Sequence, residues 1–313
     1  MASSTGTGAT GFRKSRWFTL LWVTPIAVIA LGLVVLLANV IRYSPAGQSF
    51  LAVYPGRATL PESTPVGFPA WLQWQHAINA LFMVLIVRTG WVIRTATRPK
   101  DGFYTRNNTG LIRTKNPPKR ISMNLWFHLS LDIFWMLSGI LFYLLLFTTG
   151  QWMRVVPTSW DVFPNALSAV LQYASLTWPT EDGWVNYNGI QLLSYFAVVF
   201  LAAPLAILTG FRMSPSWSPR FARFEKIYPI ELARRIHFPT MIFFVVFVFV
   251  HVVLVLATGA LRNLNHMYAG NDGTNWWGFV IFSLSIIVMV AAWIAARPLV
   301  LRSLASMTGS VSR

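Results

Sequence analysis

Cysteine is absent from all 313 residues. That excludes disulfides, iron–sulfur clusters and thiolate-bound haem or zinc, so a metal here must use histidine or another cysteine-free ligand set. It also leaves the redox state of the compartment unmarked. Acidic residues are scarce, with nine Asp and Glu against 25 Lys and Arg. All charged residues together make up 11% of the chain, whereas 55% is hydrophobic and 15% aromatic. So little charge excludes a soluble globular protein of this size and predicts an all-α, polytopic membrane protein. The net charge of +16 does not point to nucleic acid. The bases fall between apolar runs, where membrane orientation accounts for them.

Six apolar runs are long enough to span a bilayer: 17–41, 71–93, 124–148, 189–211, 234–259 and 276–296. Residues 1–16 read as a disordered basic lead-in ending in Arg13, Lys14 and Arg16. The run at 17–41 is longer than the roughly 7–15 residues of a cleaved leader, so it reads as a retained first span. Residues 42–70 are broken by five prolines and form a long loop. The stretch 94–123 is a solvated basic loop. Residues 149–188 are rich in Trp and Pro, with a short surface helix expected near Pro164–Ser175, and 297–313 is a basic tail. Six spans place both termini on one side. Loops on that side carry twenty Lys and Arg against four on the other, which predicts cytoplasmic termini.

The run beginning at Arg234 carries His237 and His251. Fourteen residues rise about 21 Å along a helix and return to within about 40° of the same face. An intramembrane histidine is costly and signals function, most simply as an axial haem ligand. Topology places His76 in the outer half of the second span and His128 toward the cytoplasmic end of the third. Depth then pairs His76 with His251, and His128 with His237. Two bis-histidine sites on different helices are what two b-type haems require, whereas zinc wants further ligands and only Asp132 lies near. His266 has no partner at its depth and reads as an exposed loop residue.

Other polar residues admit more than one reading each. Arg88, about 18 Å beyond His76 along the helix, either pairs with a propionate at the inner level or snorkels to the headgroups. Asp132 either orients His128 or joins a proton path, or makes an ordinary interhelical hydrogen bond. Arg234 and Arg235 are placed for propionates, and orientation signals explain them equally.

At this point the chain resembles the bacterial dihaem cytochrome b membrane subunits of formate dehydrogenases, nickel–iron hydrogenases and thiosulfate-reductase-type enzymes. The likeness covers about 71–265. It rests on Trp74-Gln75-His76-Ala77-Ile78-Asn79-Ala80, on His128, on Tyr187-Asn188-Gly189-Ile190-Gln191 with Leu208-Thr209-Gly210, and on the histidine pair fourteen apart. It implies a four-helix dihaem core at 71–265, with 17–41 and 276–296 as additional spans. It also implies a bacterial inner-membrane protein that passes electrons between quinone and a separate catalytic oxidoreductase subunit, with an iron–sulfur electron-transfer subunit. The resemblance maps a quinone contact onto Asn188, with Gly189 and Gln191 beside it, although Asn188 as a helix cap fits equally. The added first span inverts the core relative to the family's four-helix members, so either the partner docks on the cytoplasmic face or the charge-based orientation fails. A haem-free transporter or proton conductor using His128, Asp132 and His237 is the alternative, and a passive anchor is a third.

Overall fold

The computed structural model describes residues 16–97, 101–109, 113, 117–178, 182–217 and 222–312. The expected disordered lead-in at 1–16 lies outside these, save for Arg16. Among the described residues, six helices are long and apolar enough to cross a membrane. They are α1 (Arg16–Tyr43), α2 (Ala70–Thr95), α3 (Met123–Thr148), α4 (Gly189–Met213), α5 (Ile230–Ala257) and α6 (Trp277–Ala295). At 1.5 Å per residue, the 26 residues of α2 and of α3 reach about 39 Å, enough for the roughly 30 Å hydrocarbon core and its interfaces.

Local chemistry sets their ends. Ser122 caps α3 by accepting from the Leu125 N–H at 3.2 Å. Ser44 caps the short helix Pro45–Val53 in the same way, accepting from the Gly47 N–H, and Pro45 stands at the first turn, where no donor is needed. The proline-rich stretch 42–70 is therefore partly helical. A continuous helix still cannot pass through it.

Helix α4 is not uniform. Its Ala197–Ala202 segment is a π-helix, with the Ala203 N–H bonding back to the Val198 carbonyl. Pro204 follows and has no N–H to offer Val199. The Val199 carbonyl is left over, and the Tyr143 hydroxyl of α3 donates to it. The misregistered turn thus ties α3 to α4.

The chain divides into two compact units, one of Met1–Thr59, Thr158–Glu181 and Tyr187–Leu193, the other of Leu60–Pro157, Asp182–Asn186 and Ser194–Arg313. In the first, the helix Val162–Ala174 buries Val162, Asn165, Ala166, Ser168, Ala169 and Gln172. Asn165 accepts from the Gly56 N–H, and Gln172 donates to the Pro55 carbonyl. Asn39 and Arg42 of α1 donate to the Ser175 carbonyl and hydroxyl at the end of that helix.

In the second unit, the stretch read as a solvated loop and the basic tail prove to be folded together. Phe103–Arg106 pairs with Ile121–Ser122 and with Gly309–Ser312 in an antiparallel three-stranded sheet. Tyr104, Met123, Leu301 and Ala305 form a small apolar core beneath it. Pairing of segments about 200 residues apart leaves no signal in local composition. The sheet is too small to alter the all-α class.

Candidate functional site

All four intramembrane histidines lie in the second unit. His128 sits near the start of α3, where Thr89 of α2 meets it, with Oγ1 2.8 Å from Nδ1. His237 sits near the start of α5 and meets Thr209 of α4 in the same way, also at 2.8 Å. Each threonine is followed by glycine. A methyl group at Gly90 would lie 3.4 Å from His128 Cε1 and 3.8 Å from Met241 Sδ, and one at Gly210 would lie 3.6 Å from His237 Cε1. Met241 stands one turn beyond His237 on α5. Matching Thr-Gly pairs thus meet His128 and His237, and Gly90 faces both His128 and Met241, one turn beyond His237.

The threonines also fix the tautomer. Thr89 Oγ1 lies 2.9 Å from the carbonyls of both Leu85 and Ile86. Thr209 Oγ1 lies 2.7 Å and 3.1 Å from those of Leu205 and Ala206. A hydroxyl has one proton, and backbone carbonyls can only accept. The threonine proton goes to its own helix, and its lone pair receives Nδ1–H from the histidine. Nε2 then carries an unshared pair on both imidazoles, the state a metal ligand needs. Asp132 Oδ2 is 3.7 Å from His128 Nε2, too far for a hydrogen bond.

At the other level, His76 of α2 and His251 of α5 have ring centroids 6.3 Å apart with planes at 57°. A metal–imidazole bond of about 2.0 Å on each side, plus the ring radius, separates two such centroids by about 6.4 Å. The pair therefore fits a single metal between the rings. His76 Nδ1 is buried without a hydrogen-bond partner among the described residues. Tyr268 meets His76 edge-on at 5.9 Å, Phe247 stacks on His251 at 5.6 Å, and Tyr195 approaches His251 edge-on at 6.1 Å. This apolar, aromatic setting suits b-type haem, whose macrocycle packs against apolar side chains.

The arginines differ in their surroundings. Arg88 donates from Nη2 to the Ala296 carbonyl at 2.9 Å and lies 5.0 Å from the Trp293 ring centre, so it is engaged with the end of α6. Arg234 and Arg235 are exposed in the first turns of α5.

Asn188, Gly189 and Gln191 lie in the first unit. Asn188 Oδ1 accepts from the Gln191 N–H at 2.9 Å, while Gln191 Oε1 accepts from the Asn188 N–H at 3.0 Å. This is a reciprocal cap on α4. Asn188 Nδ2 also donates to the Tyr173 hydroxyl. A methyl group at Gly189 would come within 2.5 Å of the Ala166 nitrogen, so close packing requires glycine here.

His266, expected to be exposed, is 4% accessible. Its Nε2 donates to Asp272 at 2.6 Å, and its ring packs on Phe68 and Trp184. Burial of this loop histidine comes from contacts distant in sequence. Thr89 was not singled out from the sequence, and Thr209 entered only within Leu208-Thr209-Gly210, although the repeated Thr-Gly pair toward the end of two spans was itself a readable signal.

The prokaryotic cytochrome b561 family model matches residues 67–270. A putative protein-methionine-sulfoxide reductase subunit YedZ1 of Azospira oryzae is 27% identical over 199 residues, covering 60% of this chain and 88% of the relative. No solved structure matches the chain. With its six membrane-crossing helices, this chain belongs to the prokaryotic cytochrome b561 family, multi-pass proteins of the bacterial inner membrane that bind haem b and transfer electrons.

Proposed function

We propose that the chain is the membrane subunit of a quinone-linked oxidoreductase and binds two haem b groups, one between His76 and His251 and one between His128 and His237. Haem b supplies a one-electron carrier at each level. The observation that carries this reading is the 6.3 Å separation of the His76 and His251 rings on two different helices. The matched Thr89–His128 and Thr209–His237 contacts at the other level add to it.

The chain's own residues perform the holding. Phe247, Tyr195 and Tyr268 keep water from the His76/His251 pair, and the two threonines orient the other pair. The proposed core, 71–265, falls within the matched range 67–270, with 17–41 and 276–296 as additional spans. The charge asymmetry supports cytoplasmic termini. Arg234 and Arg235 are offered for propionates, as is Arg88 once released from Ala296. Asn188, Gly189 and Gln191 form the proposed quinone contact, held rigid by their reciprocal cap.

The name of the Azospira oryzae relative makes a subunit that reduces oxidised methionine the leading candidate partner, reached through an iron–sulfur subunit. The test is reduction of the purified protein by a quinol analogue, followed at the b-type absorbance. Rapid reduction, slowed at least tenfold in Gln191→Ala, supports the reading. No reduction by quinol of a protein that dithionite reduces would remove the quinone from it.

A further inference from the structure

His76 differs from His128 and His237 in what its Nδ1 meets. His128 and His237 each direct Nδ1 at a threonine hydroxyl 2.8 Å away. His76 Nδ1 is buried and has no hydrogen-bond partner among the described residues. An oxygen that accepts Nδ1–H makes the opposite nitrogen a stronger base, and a more basic axial ligand favours the oxidised metal.

We propose that Thr89 and Thr209 are positioning residues that hold both axial imidazoles of one haem as Nδ1–H donors, and that they make the His128/His237 haem the lower-potential haem of the two. This rests on the reading that these four histidines ligate haem. The arrangement is not incidental to one helix. Thr89-Gly90 and Thr209-Gly210 recur on α2 and α4, and each pair faces the histidine of the next helix in the chain, α3 and α5 respectively. In both, the hydroxyl proton is taken by carbonyls of its own helix, three and four residues back. The side chain can therefore act toward histidine only as an acceptor. The adjacent glycine leaves room for the ring at 3.4–3.6 Å from the position of a methyl group. The chain thus applies the same device twice to one metal. For His76 it supplies nothing of the kind among the described residues.

The experiment is potentiometric titration of the purified holoprotein, comparing Thr89→Val and Thr209→Val with Thr89→Ser and Thr209→Ser. Valine keeps the shape and removes the acceptor, while serine keeps the acceptor. The expected result is that the lower of two midpoint waves moves to more positive potential in each valine variant, that the higher wave stays in place, and that both serine variants match the unaltered protein. Loss of that haem in a valine variant but not in its serine counterpart also supports the hydroxyl's role. The proposal is overturned if two haems remain and the lower wave stays put or moves negative, if the higher wave moves instead, or if serine and valine behave alike. An unaltered protein without haem would instead defeat the assignment of the ligands, a separate outcome.

Discussion

The imidazoles of His76 and His251 approach one another from α2 and α5 with centroids 6.3 Å apart, the spacing of two rings sharing one metal. Neither ring can be replaced from its own helix. His251→Ala is therefore expected to cost one of two haems and leave the other spectrally intact. Haem analysis of the purified variant checks this, and an unchanged haem content would show that His251 ligates nothing.

The glycines against the other pair predict a graded series. A methyl group at Gly90 or Gly210 meets its imidazole at 3.4 or 3.6 Å, so Gly→Ala at either position is nearly neutral. Alanine's better helix propensity, up to about 1 kcal/mol, offsets the slight crowding. Valine places a second carbon against the ring, which is expected to cost about 1–3 kcal/mol and loosen that haem. Thermal unfolding and haem retention across Ala and Val variants measure both effects.

Asn265 and Gly278 predict a stability effect unconnected with haem. Asn265 is fully buried, accepts from the Gly278 N–H at 2.7 Å, and donates to the carbonyls of Gly273 and Asn275. It satisfies a donor at the start of α6 that the helix itself cannot. Asn265→Ala leaves that donor buried and unpaired, at about 1–3 kcal/mol. A methyl group on Gly278 would stand 2.4 Å from the Asn265 nitrogen and the Leu264 carbonyl carbon, so Gly278→Ala is expected to destabilise at least as much. Denaturation midpoints at neutral pH, with haem content unchanged, test the pair.

The Arg262–Asp272–His266 cluster predicts the response to acid. Hydrogen bonds from Arg262 and His266 hold the Asp272 carboxyl down to about 2. Its stabilisation is fully present above its ordinary value of about 3.9 and is lost as pH falls toward 2. Burial lowers the pKa of His266, against the opposing pull of Asp272. The unfolded chain therefore takes up that proton first, and stability declines as pH drops below about 6.5. Unfolding followed by the fluorescence of Trp184, whose ring lies 5.3 Å from His266, should fall in two stages. Asp272→Asn should abolish the more acidic stage.

The membrane architecture was legible because hydrocarbon demands long uninterrupted apolar helices, and the six runs end within a few residues of α1 to α6. Spacing and topology led to the expectation of two histidine pairs, and the ring contact of His76 with His251 agrees with one of them. What stayed hidden was non-local. The strand Gly309–Ser312 pairs with Phe103–Arg106 across most of the sequence, and His266 is buried by Phe68 and Trp184 from two other segments. The π-helical turn in α4 was hidden as well, since it depends on Tyr143 of a neighbouring helix taking up a carbonyl.

The ratio of haem b to polypeptide in the purified chain, measured alongside its reduced-minus-oxidised spectrum, tests the two-haem arrangement most directly. Four histidines arranged in two pairs predict two haems per chain with b-type absorbance. A ratio of one, or a protein that purifies without haem, would contradict it.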